Sequence, residues 1–324
     1  LLQAVRQPGS VLRQQGDVDQ ALETAEQTLE AEYYAPHLAH ASMEPPAAVA
    51  SVTADFCEVW APTQNPQSLI PMVEAATGLT KEQVKINVTL LGGAFGRKSK
   101  CDFAEEAVVL SKMTGAPVLV QWSREDDIRH DYFHSVSAQQ LAASIGPDGA
   151  VTGWRHRLAY PSIMSTFDPA VKAPVAFEAG LGALNVPYDI ENLTIEAGEA
   201  EPKVRIGWLR SVCNIFQSFG VNSFSDEIAH ARGLDPKDNL LELLGPDRSL
   251  DFTDVGLEAT ENYPFQTGRL RSVIELVADK AGWGRSVPEG HGLGIAAQYS
   301  FHSYVAAIVE VAVDADGNWT VPRV

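Results

Sequence analysis

Cysteine is scarce in this sequence, whose 324 residues include only Cys57, Cys101 and Cys213. Because the number is odd and no CxxC pair occurs, neither a disulfide framework nor a zinc or iron-sulfur site is indicated. Basic residues are also few, with 24 Lys and Arg against 42 Asp and Glu and a formal net charge of −18. A chain with this charge repels phosphate backbones and shows no basic patch, so we expect no nucleic-acid partner.

Long hydrophobic runs are absent as well. The longest apolar stretches have the length of a strand, far below the roughly 20 residues that a membrane-spanning helix needs. The chain starts at Leu1 without an initiator Met or a signal-peptide pattern. We therefore expect a soluble protein with no transmembrane segment, and the sequence leaves its compartment open.

Helix and strand patterns alternate along the chain, and hydrophobic residues make up 45% of it, enough for a substantial core. Capping boxes at Asp17 and Asp102 and apolar spacing elsewhere predict helices at 17–29, 65–78, 102–114, 225–233, 235–245 and 270–277. Alternating apolar residues predict strands at 84–90, 117–122 and 303–313. This mixture, which has no repeat period, predicts an α+β fold.

The most informative local feature is a glycine turn with the sequence GGAFGRK at residues 92–98, directly after the predicted strand at 84–90. Residues without side chains let backbone N–H groups approach an anionic or oxo ligand closely. A glycine turn by itself is more often only structural. The spacing matches neither the P-loop nor the dinucleotide motif GxGxxG, so phosphate binding by either loop is not expected.

Three sequence blocks occur in the order and spacing of the large subunits of molybdenum hydroxylases, namely HASMEP at 40–45, WAPTQNP at 60–66 and GGAFGR at 92–97. Further blocks resemble one branch of this xanthine oxidase/aldehyde oxidase family, that of the isoquinoline 1-oxidoreductase beta subunit, namely WSREDD at 122–127, WLRSV at 208–212 and SDEIAH at 225–230. The similarity extends over residues 17–324. It implies an α+β molybdopterin-binding fold with mixed sheets and packed helices.

The resemblance also implies an activity and a set of partners. Members of the family hydroxylate an electron-poor carbon of an aldehyde or an N-heteroaromatic ring with oxygen from water, and pass electrons to [2Fe-2S] clusters. Their molybdenum is held by a pterin dithiolene, so no metal-ligand spacing is expected among the side chains. We therefore expect molybdopterin cytosine dinucleotide in the intact subunit and, because no four-cysteine set occurs here, a separate small [2Fe-2S] subunit, in the bacterial cytoplasm or periplasm.

The cofactor-binding residues implied by the resemblance are Gln64, Gly93, Phe95, Gly96 and Arg210. The Gln64 amide matches the group that hydrogen-bonds the apical metal oxygen, and Phe95 and Gly96 match backbone contacts to the oxo-metal centre. Arg210 matches a second backbone segment at the same centre. If the family resemblance is set aside, the sequence indicates only that Gln64 lies at the start of a helix and that Arg210 is a surface or salt-bridged residue.

Some positions depart from the family pattern. Purine-oxidising members carry a carboxylate shortly after the glycine turn, where this sequence has Ser99, and no arginine occurs near Pro174 and Val175. A purine substrate is therefore not expected. Ala94 replaces the third glycine of the usual Gly-Gly-Gly-Phe-Gly turn, which fits unless that position requires a positive φ.

The largest departure concerns the general base. The family's glutamate lies in a Gly-Val-Gly-Glu segment near the C-terminus, and this sequence reaches Val324 without one. No catalytic residue is assigned, and we expect this chain alone to be cofactor-free and inactive. We divide it into a linker and first helix at 1–30, a first molybdenum-cofactor-binding domain at 31–245 and the truncated beginning of a second at 246–324.

Two other functions remain open. One is a cofactor-free fragment or assembly module. The other is a histidine-metal hydrolase built on His130 and His134, which would share one helix face at i,i+4, although residues 126–133 are as easily a solvated turn.

Two weaker patterns are expected to be structural. His37 and His40 flank the HASMEP block and are predicted to pack and hydrogen-bond near the cofactor rather than to bind a metal. Asp314 and Asp316 faintly resemble a calcium loop, but no bidentate glutamate follows them. We predict a hairpin turn there.

Overall fold

The computed structural model describes residues 1–258 and 263–324. Its strands, in chain order, are β1 Ser10–Gln15, β2 Gln27–Ala35, β3 Ala47–Val52, β4 Cys57–Ala61, β5 Val84–Val88, β6 Val118–Gln121, β7 Ser137–Ile145, β8 Val151–Ala159, β9 Asn192–Ala197, β10 Ser249–Leu250, β11 Phe265–Gln266, β12 His291–Ser300, β13 Ser303–Val313 and β14 Trp319–Arg323. Its α-helices are α1 Leu2–Val5, α2 Val18–Glu23, α3 Pro66–Thr77, α4 Asp102–Thr114, α5 Arg124–Arg129, α6 Ala176–Ala179, α7 Asn214–Arg232, α8 Pro236–Leu244 and α9 Thr267–Ala281. Across these described residues, no helix is long and apolar enough to cross a membrane.

The largest sheet has the strand order β1-β9-β8-β7-β2, in which only β8 and β9 run parallel. Helix α7 packs against it and buries Phe224 beside Trp154 of β8 and Phe216 beside Tyr160. The Trp154 and Phe224 rings meet edge to face with their centroids 5.2 Å apart. This apolar layer forms the main core of the molecule.

A second sheet, with the order β5-β4-β3-β6, has the parallel pair β4 and β5 at one side. Helices α3 and α4 pack together on this sheet. The core between them consists of fully buried apolar side chains, among them Val59, Leu69, Val73, Phe103 and Val108. Because β5, α3 and α4 all have one end at the glycine turn, this layer positions the candidate site.

The antiparallel sheet β12-β13-β14 forms the third layer, with α9 packed on it. Ile274 of α9, Ile295 of β12 and Ile308 of β13 belong to the same buried cluster as the core of the largest sheet. Described residues on both sides of the predicted boundary at 246–268 therefore belong to one apolar core, and a domain boundary there stays a prediction.

Most of the predicted elements are present, and the α+β class is confirmed. Helix α4 and strand β13 have the predicted bounds, and α3 and α8 begin behind Asn65 and Asp235 as expected, since both side chains accept a hydrogen bond from a first-turn backbone N–H. Strands β5 and β6 are slightly shorter than predicted, and α9 is longer.

The predicted helix at 17–29 is wrong beyond its first turns. Asp17 caps α2 as expected, accepting a hydrogen bond from the Gln20 amide, but the helix ends at Glu23. From Gln27 onward, burial alternates with a period of two residues, and β7 provides an antiparallel partner along the whole of β2. Pairing with β7 stabilises the strand, in which Leu29 packs against the main core.

Two further helix predictions need correction. Helix α7 begins at Asn214, not near Ser225, which lies buried in its middle. Its first half turns polar residues such as Gln217 inward, where they hydrogen-bond to buried backbone groups, so the apolar period is hidden. In α4, Cys101 rather than Asp102 is the N-cap residue, because the Asp102 carboxylate pairs with Arg97.

Candidate functional site

The glycine turn connects the end of β5 to a 3₁₀ helix at Arg97–Ser99 that leads into α4. Gly96 has φ +108°, and a Cβ atom at this position would lie 1.8 Å from the carbonyl oxygen of Trp208. Only glycine fits such an approach. Gly93 also has a positive φ, of +96°. Ala94 is not among the residues with positive φ, so an alanine in place of the family's third glycine fits this turn.

Gln64 and the glycine turn, which the resemblance assigns to the same metal centre, lie together in the structure. The Gly96 backbone N–H donates a hydrogen bond of 3.0 Å to Oε1 of Gln64, and the Gln64 N–H donates one of 3.0 Å to the carbonyl of Lys98. Gln64 stands just before Asn65, the residue that caps α3. The start of α3 and the turn after β5 are thus joined by two hydrogen bonds.

Arg210 comes to the same place from a distant part of the chain. Its backbone N–H donates a hydrogen bond of 2.8 Å to the carbonyl of Phe95, and its guanidinium lies 5.5 Å from the centre of the Phe95 ring. The structure therefore brings Gln64, Phe95, Gly96 and Arg210 together, with Gly93 in the same turn. What these residues bind stays a prediction at this point.

These residues also leave groups available to a ligand. The side chains of Gln64, Phe95 and Arg210 are exposed. In the described part of the chain, Nε2 of Gln64 has no hydrogen-bond partner and the Arg210 guanidinium has no ion pair. Leu90 and Met43 beside the turn are 94% and 86% exposed. The site is an open surface with an available amide donor, an available cation and an apolar margin.

Backbone strain is concentrated at this surface. Four of the residues with positive φ that are not glycine lie here, namely Ala41, Phe95, Ser211 and Val212, with φ values of 43°, 57°, 71° and 47°. Such conformations cost of order 1–3 kcal/mol each and persist where the surroundings impose them, typically at functional sites. The sequence motifs pointed to Phe95, but nothing in the sequence marked Ser211 or Val212 as strained.

Glu44 of the HASMEP block anchors the first part of the turn. Its Oε2 accepts a hydrogen bond of 3.1 Å from the Gly92 N–H and binds Nζ of Lys98, whose side chain is fully buried. Burial opposes ionisation of Glu44, but the bonds from Lys98 and Gly92 outweigh it and hold the pKa of this carboxyl below its usual range. Glu44 and Lys98 were not assigned roles from the sequence, although the motifs contain both.

A buried ionic network lies behind the turn. Arg97, whose side chain has no exposed surface, pairs with Asp102 through two hydrogen bonds of 2.9 and 3.0 Å. Asp131 lies 3.1 Å from Nε of Arg97 and also contacts the ring of His40. The expectation that His40 hydrogen-bonds near the site is confirmed, and His37 likewise contacts a backbone carbonyl, that of His134, at 2.8 Å.

The proposed histidine-metal site is not formed. Helix α5 ends at Arg129, so His130 and His134 do not share a helix face. Nε2 of His134 contacts the Val212 carbonyl at 3.0 Å, and burial lowers the pKa of this histidine. Among the residues with described positions, no group of three or more His, Cys, Asp or Glu side chains is arranged to hold a metal ion.

Asp314 and Asp316 form the predicted hairpin turn between β13 and β14. The Asp314 carboxylate accepts hydrogen bonds from the backbone N–H groups of Asp316 and Asn318, at 3.0 and 2.8 Å. These bonds account for the acidic residue at this position without a calcium ion.

An aromatic cavity of about 640 Å³ lies among residues of 177–185, 250–258, 263–265 and 299–302. Its lining includes Phe177, Phe252, Tyr263, Phe265, Tyr299 and Phe301. Gln298, next to Tyr299, donates a hydrogen bond of 3.1 Å to Asn214, which in turn donates one of 3.2 Å to the Ser211 carbonyl. Two hydrogen bonds therefore connect the residue before Tyr299 with the segment that carries Arg210.

Comparison with known proteins gives one family for most of the chain. A family model described as a molybdopterin cofactor-binding domain matches residues 4–239. The chain is 31% identical over 273 residues to a nicotinate dehydrogenase subunit of Pseudomonas putida, covering 81% of this chain and 23% of that protein. It is 27% identical over 286 residues to the beta subunit of isoquinoline 1-oxidoreductase of Brevundimonas diminuta, covering 86% and 34%. The chain thus spans about a quarter to a third of the length of these curated relatives.

A similar fold occurs in a solved structure, the aldehyde oxidoreductase of Desulfovibrio gigas. The TM-score is 0.68 at 18% sequence identity, and the match covers 97% of this chain and 34% of that one. At this identity the likeness concerns the fold alone.

Proposed function

Since this chain belongs to the molybdopterin cofactor-binding domain family, we propose that Gln64, Gly93, Phe95, Gly96 and Arg210 form one side of its molybdenum-cofactor site. The observation that carries the proposal is the meeting of three distant segments at Gly96 and Phe95 through the bonds from Gly96 to Gln64 and from Arg210 to Phe95. These bonds hold backbone and amide groups in a fixed array.

The residues present suit an oxo-metal pterin. Oε1 of Gln64 is fixed by the Gly96 N–H, so the Nε2 group is oriented and free to donate to an oxo ligand. The Arg210 guanidinium adds a positive charge to a chain of net charge −18, which favours an anionic cofactor at this surface. When bound, the cofactor supplies the two-electron redox chemistry. The residues of this chain orient it.

The open form of the surface implies a second group of residues on the opposite side. Gln64, Phe95 and Arg210 are all exposed, while an enclosed site buries most of its ligand. Binding must also offset a loss of freedom estimated at about 4–15 kcal/mol, which a few contacts on one face do not supply. We call Gln64, Gly93, Phe95, Gly96 and Arg210 the half-site, and propose that residues outside it, including a general base, complete the cofactor site. We further propose that this chain by itself holds the cofactor weakly and is inactive.

For the substrate, we propose an N-heteroaromatic ring or an aldehyde rather than a purine. The aromatic cavity that includes Phe177, Phe265 and Tyr299 offers ring faces for a flat substrate. Ser99, half-buried behind the turn with its N–H bonded to the Gly96 carbonyl at 3.1 Å, brings no carboxylate with which to bind a purine. The cofactor is proposed to be the cytosine dinucleotide, and the electron acceptor a small [2Fe-2S] subunit.

The division into a first cofactor-binding domain at 31–245 and the beginning of a second at 246–324 is part of this proposal. All of the proposed cofactor contacts fall in the first of these ranges. The second contributes Tyr299 and Phe301 to the aromatic cavity.

A matched pair of variants in the holoenzyme tests the proposal. Gln64→Leu removes the free amide, whereas Gln67→Leu changes an exposed glutamine one turn further along the chain, in α3. We expect Gln64→Leu to lower turnover of isoquinoline or benzaldehyde about 10- to 100-fold, as for loss of a hydrogen bond to a charged group, and Gln67→Leu to match the wild type. Equal turnover in both variants, or a wild-type enzyme without molybdenum and pterin, would contradict the proposal, and the second result would favour a cofactor-free module.

A further inference from the structure

The ring of His40 lies between two hydrogen-bond acceptors. Nε2 is 2.6 Å from the carbonyl oxygen of Trp208, and Nδ1 is 2.9 Å from Oδ2 of Asp131. The His40 and Asp131 side chains have no exposed surface, so water does not compete for these contacts. A carbonyl only accepts, an ionised carboxylate only accepts, and a neutral imidazole carries a single N–H. Both contacts are therefore hydrogen bonds only if both ring nitrogens carry a proton.

The contacts of Asp131 suit a carboxylate that accepts hydrogen bonds. Its Oδ2 accepts a hydrogen bond of 2.6 Å from the His40 backbone N–H, and its Oδ1 lies 3.1 Å from Nε of Arg97. A protonated carboxyl would have to donate to an Nδ1 atom that carries no proton, and the buried Arg97 guanidinium beside it would lose a counter-charge. An ionised Asp131 accepts from both N–H groups of His40 and lies at ion-pair distance from Arg97.

Among the groups with little or no exposed surface, Arg97, Asp102 and Asp131, the charges balance only with a cationic His40. Arg97 is neutralised by its paired hydrogen bonds to Asp102, which leaves the Asp131 charge for His40. A neutral His40 would leave an excess negative charge among side chains with little or no exposure, which is strongly destabilising. Arg205 reaches Asp102 from the rim, where it is 41% exposed and screened.

The other titratable groups packed near this ring do not change the balance. Asp127 is paired with Arg124. His134 is buried, and burial lowers its pKa, so it is neutral and adds no charge. Tyr132 has a pKa raised by burial and stays uncharged.

We propose that His40 is a buried imidazolium that positions the carbonyl of Trp208, and with it the segment 208–210, against the glycine turn. The Trp208 oxygen occupies the space where a Cβ of Gly96 would lie, at 1.8 Å, and Arg210 two residues later donates to the Phe95 carbonyl. His40 therefore acts through Trp208 on both backbone segments of the half-site. The charge state of His40 does not depend on the proposed function. Only the inference that His40 supports cofactor binding rests on that proposal.

The charge state is measured directly by nitrogen NMR on the chain labelled with ¹⁵N-histidine. The His40 signals are assigned by their loss in His40→Gln. At about pH 7.5, where an ordinary exposed histidine is mostly neutral, we expect protons on both ring nitrogens of His40 and on only one ring nitrogen of His134. A lone-pair nitrogen in His40 at this pH overturns the proposal.

The positioning role is measured by amide hydrogen exchange. His40→Phe removes both ring donors, and His40→Gln keeps a donor without the charge. We expect the protection of the Arg210 amide to fall roughly 10- to 100-fold in His40→Phe and less in His40→Gln, as for loss of a charged hydrogen bond, with protection in α4 unchanged. The control, His37→Gln, changes a neighbouring histidine with a single backbone contact and is expected to leave Arg210 protected.

Two results of this experiment overturn the positioning role. One is an Arg210 amide as protected in both His40 variants as in the wild type. The other is an equal loss of protection in Arg210 and α4, which indicates a general loss of stability. If His40→Phe does not fold, the same comparison is made with His40→Gln. Since neither measurement involves the cofactor, a failure here is distinct from a failure of the proposed function.

Discussion

Replacement of Gly96 with alanine is expected to separate the two backbone segments of the site. The new Cβ would stand 1.8 Å from the Trp208 oxygen, where ordinary contact begins at 3.4 Å, so the 208–210 segment must move. That movement breaks the bonds from Arg210 to Phe95 and from Gly96 to Gln64, each with a net value of about 1 kcal/mol. The left-handed φ of +108° adds about 1–3 kcal/mol for a residue with a side chain.

The sum is a destabilisation of about 3–5 kcal/mol. Gly78→Ala is the matched control, because Gly78 also has a left-handed φ, of +81°, but no atom lies within 4 Å of the position of its Cβ. Only the backbone cost applies at Gly78. Urea denaturation followed by tryptophan fluorescence should therefore give Gly96→Ala a free energy of unfolding at least about 2 kcal/mol lower than that of Gly78→Ala. A difference under about 1 kcal/mol would refute the reasoning, since the two segments would then separate at no cost.

Two pH-dependent effects follow from buried and paired groups. Ionised Glu44 stabilises the fold above the ordinary carboxyl pKa of 4.5, and this stabilisation is lost as the pH falls through its lower folded pKa. Glu44→Gln should therefore flatten the acid limb of the stability curve measured by urea denaturation, and an unchanged limb would contradict the role of Lys98 as its partner. Complete burial lowers the pKa of His156 to about 3 from 6.5, so the unfolded chain binds the proton first and stability falls as the pH drops below 6.5. Between pH 7 and pH 5 this loss is about 2 kcal/mol in the wild type, and it should disappear in His156→Gln; the same loss in the variant would show that His156 is not its source.

The local elements of the fold were predictable where the signal lies within the element. Asn65 and Asp235 cap helices that begin with proline, and the sequence predicts the N-termini of both helices correctly. The strand β2 was not, because its identity depends on the partner β7, more than a hundred residues away. The start of α7 was hidden for a similar reason, since its inward polar residues, such as Gln217, find partners that only the folded chain provides.

The residues of the candidate site were predictable from the sequence motifs, but the ionic contacts that support them were not. The spaced blocks led to Gln64, Gly96 and Arg210, and the structure brings these residues together. The ionic partners behind them, Glu44 with Lys98 and His40 with Asp131, join segments far apart in sequence and carry no local pattern. Charge pairing of this kind is decided by burial, which a single sequence does not display.

Molybdenum content of the purified holoenzyme tests most directly whether the glycine turn holds the cofactor. Metal per enzyme is measured for the wild type, Gly96→Ala and Gly78→Ala. Because Gly96→Ala displaces the 208–210 segment and Gly78→Ala leaves it in place, we expect molybdenum in the wild type and in Gly78→Ala and a large loss of it in Gly96→Ala. Equal molybdenum content in the two variants, or none in the wild type, would contradict the assignment of this surface as a molybdenum-cofactor site.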